Sequence, residues 1–462
     1  YSGIIGLLSC DAFGDCGSQK ITVIGHADSN DIAASNANVI YEYAPAEAFQ
    51  VGTILPVNVP LTASWRGVTP ESIHIAATTL DFDWLVSNGF STEGWGDQTL
   101  VWETLVADLN ARGGINGRSV VLSAVKPFSA IPGFGIDANA VCLEVTADVE
   151  TFAVLGGFLG PAEISNVCIP GQQETILIGG RTNTERLAQV SAPWYENGMT
   201  KEQRMESYLT LLQENGYLEG RAIAVVGAEE SRSTYERGIA ILNAMGANIV
   251  LEAISDVGVG DTEAEDAWWD VMAERVRASG ANALLLAGGD RAGFRANDRA
   301  DLGVELFPYN NESLSSLSAN VTPAMVAGAI TLTGLTEQEQ FDQPEVQERC
   351  IKPFAAANPD IEIGMPDTWT DGIEKWWRSI MTHCNQLRMF ELLATKAGPV
   401  LTHDTFRQAA ESMPQFKLPL APYASLGSGK VGADDSARLS IFVLDGDGGF
   451  LEPLTEIMDT TP

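Results

Sequence analysis

Two doubly wound α/β lobes, each on a parallel sheet and preceded by a small β-rich extension, are the architecture this sequence predicts. Three observations carry that expectation. From Ser72 onward, short apolar β-branched runs alternate with stretches of helical period, as in parallel sheets covered by helices on both faces. The alternation restarts as a second series near Thr200. At roughly 100–200 residues per domain, 462 residues suffice for several domains with buried cores.

Residues 1–70 stand apart. They are rich in Ser, Ala, Asn, Asp and Gly, with β-leaning pieces at Ile21–Gly25 and Val39–Tyr43, and Pro56, Pro60 and Pro70 space out a linker-like stretch. In the first series the pattern predicts strands over 73–79, 119–125, 152–155 and 175–178. Between them it predicts helices over 98–112, 137–148 and 162–168, the first stopped by Gly113-Gly114. In the second series strands are expected over 222–226, 248–253, 283–287, 304–307 and 329–332. Helices are expected over 201–215, 234–245, 265–278 and 292–302. Helices over 344–357, 370–397 and 403–411 and a strand over 438–444 complete the chain. The implied organisation is an extension over 1–70, the first part of lobe 1 over 71–195, lobe 2 over 196–335 and a return segment over 336–462 that completes both lobes. Crossovers near 192–200 and 334–344 leave a cleft at the carboxyl ends of the strands, where ligands bind in such folds.

Acidic residues outnumber basic ones 61 to 27, a net charge of −34 that excludes a nucleic-acid partner, because phosphate recognition needs a positive face. Charge of this kind keeps an exported surface soluble and says nothing about fold. Apolar residues make up 45% of the chain, a globular composition, and no run approaches the ~18 apolar residues of a membrane-spanning helix. Cys10, Cys16, Cys142, Cys168, Cys350 and Cys384 are even in number and fall as three separated pairs. No zinc spacing is present, so three local disulfides in an oxidising compartment are the better reading. Leu7-Leu8-Ser9-Cys10 also fits the remnant of a lipoprotein cleavage box, with Cys10 as lipid anchor. That would strand Cys16, so a Cys10–Cys16 disulfide is preferred.

At 108–118 the chain reads DLNARGGINGR, closing a helix before a strand. This is similar to the signature of the branched-chain-amino-acid (Leu/Ile/Val)-binding family of type I periplasmic solute-binding proteins of ABC transporters. SIHIAATTL, FAVLGGFLGPAEISNV, TILIGGRTNTERL and EESRSTYERGIAILNAMGANIV resemble the family's first, third and fourth strands and the first strand-to-helix unit of its second lobe. The likeness covers about 72–453, and the first 70 residues have no counterpart in it. It implies the periplasmic binding protein type I fold, disulfides Cys142–Cys168 and Cys350–Cys384, no catalysis, a small-molecule ligand and membrane transporter subunits as partners. It also implies a periplasmic or extracellular surface location. The family's carboxylate-gripping positions match Gly160, Arg181, Thr182 and Asn183, and its ammonium-gripping positions match Gly289 or Asp290 and Asn311 or Glu312. Arg181 and Gly160 depart from the family's small hydroxylated residues, and no aromatic stands at 289 or 290.

On their own terms, the residues at strand ends are Asp81, Phe82 and Trp84, then Phe158, Gly160 and Glu163, then Arg181, Thr182 and Asn183. The second lobe offers Glu229, Glu230, Ser231, Asp290, Arg291, Asn311 and Glu312. Taken singly, each reads more readily as a solvated loop residue. Arg181 is the exception, because a guanidinium at a strand end suits a carboxylate or phosphate. Gly160 at a helix start offers free N–H groups to an anion, while Glu163 in the same turn works against this. Trp268-Trp269, Trp376-Trp377 and His74 read as packing residues. No metal-ligand set, cofactor motif or catalytic signature is present. The expected function is capture of a small polar solute, an amino acid or a related carboxylate or amide. The competing reading is an assembly module of the same fold that docks or self-associates through residues 1–70.

Overall fold

Parallel strands that are buried on both faces must be apolar without interruption, and the computed structural model puts such runs at the centre of two sheets. It describes residues 61–461 apart from 132, 134, 258–260, 316, 318, 319, 371 and 414, together with four short strands between 8 and 43. Those four are β1 (Leu8–Cys10), β2 (Cys16–Ser18), β3 (Ile21–Ile24) and β4 (Val39–Tyr43), paired as the antiparallel hairpins β1–β2 and β3–β4. Cys10 lies opposite Cys16 in the β1–β2 register, while the expected bond between their side chains lies outside the described residues. Residues 1–60 form one compact unit and 61–462 a second. The second unit begins at Leu61, and Val68 is buried in its core.

Lobe 1 is a five-stranded parallel sheet in the order β6-β5-β7-β8-β9. Its strands are β5 (Ser72–Leu80), β6 (Ser119–Phe128), β7 (Ala153–Gly156), β8 (Ile176–Gly179) and β9 (Trp194–Tyr195). The helices are α1 (Phe82–Ser87), α2 (Gln98–Ala111) and α3 (Ala138–Thr146), followed by a 3-10 segment at Gly160–Cys168 and the short α4 (Thr184–Leu187). Val101, Trp102 and Leu105 of α2 pack one face of the sheet, and Val141 and Val145 of α3 the other. The Asn116-Gly117 turn has positive φ at both residues, 49° and 82°, as a tight two-residue reversal requires. Beside it, buried Arg118 donates to the carbonyls of Thr62, Thr69 and Pro399 at 3.0, 2.7 and 2.9 Å. The GGINGR motif thereby fastens the chain entering the lobe and the chain returning to it.

Lobe 2 repeats the plan with the parallel order β11-β10-β12-β13. Its strands are β10 (Ala222–Ala228), β11 (Asn248–Ser255), β12 (Ala283–Ala287) and β13 (Glu305–Pro308). Around them lie α5 (Lys201–Glu214), α6 (Arg232–Ala244), α7 (Thr262–Ser279), α8 (Asp290–Ala300) and α9 (Glu312–Ser315). The acidic run at 261–266 is the start of α7, with Asp261 accepting the Ala264 N–H. The next strand, β14 (Ile330–Thr333), does not extend the parallel sheet as the sequence pattern suggests. It pairs antiparallel with β17 (Ser436–Asp445), because β14 runs toward the crossover and β17 runs away from it.

Between those two strands the chain returns to lobe 1 as α10 (Glu337–Phe341), α11 (Pro344–Val346), a π turn at Gln347–Ile351 and α12 (Lys352–Ala357). It continues as α13 (Trp376–Ala397), α14 (His403–Glu411) and the hairpin β15 (Phe416–Leu418) and β16 (Ala421–Ala424). β18 (Gly448–Pro453) and β19 (Met458–Asp459) finish lobe 2 against β17. Helix α13 starts at Trp376 rather than near Thr370, since Lys375 is held by the Gly94 carbonyl at 3.0 Å and lies over the Trp369 ring. Trp269 and Trp377 are core residues, and both His74 ring nitrogens are satisfied, by Ser72 and Ser123.

The two disulfides that the family resemblance implies are present: Cys142–Cys168 joins α3 to the 3-10 segment, and Cys350–Cys384 joins the π turn to α13, with Cα separations of 6.4 and 5.7 Å. The second closes a loop of 34 residues. The Cys350→Ser/Cys384→Ser double variant is therefore expected to lose about 3–4 kcal/mol of unfolding free energy on the chain-entropy model. Denaturant unfolding measures this, alongside non-reducing peptide mapping of both linkages.

Candidate functional site

The carboxyl ends of both parallel sheets face the same interlobe space, and the loops that leave them carry its polar groups. In lobe 1, β7 and β8 end in Gly156-Gly157 and Gly179-Gly180, which lie so close that a Cβ on Gly179 would meet the Gly156 carbonyl at 2.5 Å. Asn166 locks this corner, accepting the Phe158 N–H at 2.6 Å and donating to the Phe158 carbonyl at 2.9 Å. The chain leaving β8 is thus fixed where it delivers Arg181.

Arg181 is held by its neighbours on both sides. Its carbonyl accepts from Arg186 at 3.0 Å, and Arg186 also donates to Glu163 at 2.9 Å. The next residue, Thr182, donates its N–H to Glu196 at 3.0 Å, and Asn183 caps α4. From this platform the Arg181 guanidinium crosses to lobe 2 and forms an ion pair with Glu312 at the start of α9. The two side chains keep 39% and 53% of their surface exposed, so the pair lines an open cleft.

Lobe 2 brings its own cation. Arg204, in the second turn of α5, donates to the Asn311 side chain at 3.3 Å, so both guanidiniums converge on the segment Asn311-Glu312. Two further contacts link the lobes nearer the crossover: Lys201 to Glu163 at 3.0 Å, and the Thr184 N–H to Glu202 at 3.1 Å. Behind Glu312, Ser313 donates to Asp290 at 3.0 Å and to the Asn310 carbonyl at 2.7 Å.

Burial governs the charges. It lifts Glu196 to about 8, although the Thr182 N–H, Arg181 and Arg204 pull the other way. It lifts Asp290 to about 7 against the Ser313 hydroxyl and the Gly288 N–H. Burial also raises Glu163, but Lys201 and Arg186 outweigh it and leave that carboxyl below its ordinary value. Arg204 is lowered by burial and by the neighbouring charge of Arg181. Around the two guanidiniums, acids are either already paired or shifted toward their neutral form.

The structure brings together Arg181, Asn311 and Glu312, with Asp290 beneath them. Others of the sequence-predicted set serve the fold. Phe158 is fully buried and packs edge-on against Phe128, so it is a core residue and no wall of the cleft. Thr182 is buried and Asn183 is a helix cap. Asp81 caps α1, which is too short to show a period in sequence; Phe82 stacks on Trp95 and Trp84 on Phe90. Gly160 opens the 3-10 segment with φ of 61°, and Glu163 in that segment pairs with Arg186 and Lys201. Glu229 pairs with Arg232, and Glu230 is exposed. Ser231 is buried, and Arg291 is exposed on α8.

Sequence reasoning missed Arg204, Glu196 and Lys201. The one available signal was their position on either side of the crossover near Thr200. Elsewhere, a concavity of about 590 Å³ lined by Arg221, Asn282, Asn297 and Glu305 lies at the amino ends of the lobe 2 strands, away from the cleft. Among the described residues no cluster of His, Cys, Asp and Glu is arranged to hold a metal, and no helix is long and apolar enough to cross a membrane.

No protein-family profile matches the chain, and no curated protein matches it. Solved structures do. An ABC transporter substrate-binding protein from Desulfitobacterium hafniense, in complex with Leu, aligns with a TM-score of 0.52 at 13% identity, over 82% of this chain and 100% of its own. A solute-binding protein of an ABC transporter from R. palustris, in complex with 4-hydroxybenzoate, gives 0.53 at 13% identity over 85% and 98%. A leucine-, isoleucine-, valine-, threonine- and alanine-binding protein from Brucella ovis, in a closed conformation, gives 0.56 at 11% identity over 85% and 97%. The chain therefore has the type I periplasmic binding protein fold that the sequence resemblance implies.

The buried carboxyls set the response to pH. Glu196 at about 8 and Asp290 and Asp434 at about 7 hold protons that ordinary carboxylates near 4 have released in the unfolded chain. Their contribution to stability is full below the unfolded values and is lost as pH rises through 7 to 8. His383 and His403, pushed down to about 4 chiefly by burial, act in the opposite sense: their contribution is full above 6.5 and is lost as pH falls toward 4. Unfolding free energy is expected to fall between pH 6.5 and about 8, and Glu196→Gln to flatten that fall. Denaturant titrations across this window decide it, and a variant slope equal to the parent's would exclude Glu196 as a source.

Proposed function

We propose that this protein is the exported solute-binding component of an ABC transporter, capturing a small carboxylate-bearing solute between its lobes and delivering it to the transporter's membrane subunits. The observation that carries this reading is Arg181, rigidly placed at the carboxyl end of β8 and reaching across the cleft to lobe 2. Guanidinium forks recognise carboxylates by paired, charge-assisted hydrogen bonds. The cleft occupies the place where open α/β sheets receive ligands. Two of the solved structures with this fold carry Leu and 4-hydroxybenzoate, and both molecules contain a carboxylate. The disulfides suit an oxidising compartment, hence a periplasmic or extracellular location.

Mechanically, the lobes are joined where the chain crosses at 196–200, 333–336 and 425–436. Two of these crossings are hydrogen-bonded: the Glu196 N–H donates to the Val431 carbonyl, and the Ala433 N–H to the Glu196 carbonyl, both at 2.9 Å. Opening pivots about this edge, and closure encloses the solute between Arg181 on one side and α5 and α9 on the other.

Thermal-shift measurement against amino acids, amides, short peptides and simple carboxylates tests this. At a ligand concentration of about 100 Kd, a true ligand adds roughly 2.7 kcal/mol of stability. Arg181→Ala, which removes a charged hydrogen-bond partner worth about 1.5–3 kcal/mol, is expected to weaken that ligand roughly 10- to 150-fold. A panel in which no solute raises the melting temperature would overturn the proposal.

A further inference from the structure

We infer that Glu312 is an internal stand-in for the ligand's carboxylate, and that the solute displacing it is a carboxylate without an ammonium group. The inference rests on the solute-binding reading above and narrows it. Its first ground is geometric. Arg181 comes from lobe 1 and Arg204 from lobe 2, yet their guanidiniums meet at adjacent residues, on the carboxylate of Glu312 and the side-chain oxygen of Asn311. Two planar donor groups from opposite walls that close on one short segment form a carboxylate seat, and the occupant here is one of the protein's own carboxylates.

The second ground is charge balance. The other acids of the cleft are committed elsewhere. Glu163 takes Arg186 and Lys201, Glu202 takes the Thr184 N–H and the Ser233 hydroxyl, and Glu229 takes Arg232. Glu196 is buried against the Thr182 N–H, and Asp290 is buried and accepts from Ser313. Asp434, whose charge also reaches Arg204, accepts the Ser436 N–H at 2.8 Å and is pushed by burial toward its neutral form. Among the described residues Glu312 is therefore the exposed carboxylate that the guanidiniums meet directly, and the two of them remain short of negative charge. A monocarboxylate anion supplies the missing charge, whereas a zwitterionic amino acid adds none.

The third ground is strength. An ion pair as exposed as Arg181–Glu312 is weak and salt-sensitive, so a ligand carboxylate enclosed by both lobes outcompetes it. The same pair is one of the contacts that fasten the lobes to each other.

The sign of the effect of Glu312→Gln separates the possibilities. The full-length protein and this variant are titrated calorimetrically with matched pairs: leucine and 4-methylpentanoate, phenylalanine and 3-phenylpropionate, aspartate and succinate, together with 4-hydroxybenzoate. The substituted side chain is exposed, and a thermal melt verifies that the variant folds. The expected result is that an acid lacking the amino group binds the parent, and that Glu312→Gln binds it roughly two- to fivefold more tightly, the range an exposed ion pair holds back. The ligand-free variant should also show a larger radius of gyration in small-angle scattering, because one of the contacts that fasten the lobes is gone. If an amino acid binds and Glu312→Gln weakens it, Glu312 grips the ammonium; the inference falls and the solute-binding reading stands. If an acid binds and the variant binds it no better, the inference falls alone. If neither protein binds any member of the panel, both fall.

Discussion

Parallel strands impose the geometry on which everything else depends. Each must be followed by a crossover, so all strands of a sheet end on the same side, and the loops there gather polar groups without disturbing the core. Two such sheets joined along one edge hold their loop ends opposite each other. The joint is itself built from polar contacts: the Glu196 backbone is paired with residues 431 and 433, and Lys430 is enclosed by Ser425 and Asp435 at 2.7–2.9 Å. Arg438 holds Glu339 through both of its terminal nitrogens, at 2.8 and 2.6 Å. These contacts span the second and third crossings, so the position of one lobe relative to the other is set at the edge and expressed at the cleft.

Electrostatics at that cleft run against those of the whole protein. A net charge of −34 would repel an anionic solute, yet at physiological salt such a field decays within about 8 Å. Inside that distance the local arrangement decides. Burial moves Glu196 and Asp290 toward their neutral forms, and pairing occupies Glu163 and Glu229. The two guanidiniums are thereby left in a neighbourhood whose negative charges are largely spent. Glu196 has a double part: its backbone joins the crossings, and its carboxyl receives the N–H of the residue after Arg181. The proposed hinge and the proposed anion seat are one hydrogen bond apart.

Much of this frame was legible in the sequence. The central strands β7, β8, β10 and β12 are short unbroken apolar runs, and helices of three or more turns showed their period, so both lobes and their order could be read. Arg181 stood out because a guanidinium at the end of such a run has no packing role. Elements of one or two turns, α1, α4 and α9, left no periodic trace, and Glu312 read as one strand-end loop residue among several. Phe158 was misplaced because sequence does not reveal which way a ring turns at a strand end; here it turns inward onto Phe128. Arg204 reads as one charged residue on an amphipathic helix, and only the meeting of the lobes gives it a role. The tie between the chain entering lobe 1 and its GGINGR turn rests on Arg118, whose contacts with Thr62 and Thr69 join residues more than forty positions apart.

The central claim is that the solute's carboxylate sits between Arg181 and Arg204. A crystal structure of the full chain grown with the tightest-binding carboxylate tests it most directly. The expected density places the carboxylate within hydrogen-bonding distance of both guanidiniums, with Glu312 turned away. Density in the lobe 2 concavity beside Arg221, with the Arg181–Glu312 pair intact, would contradict it.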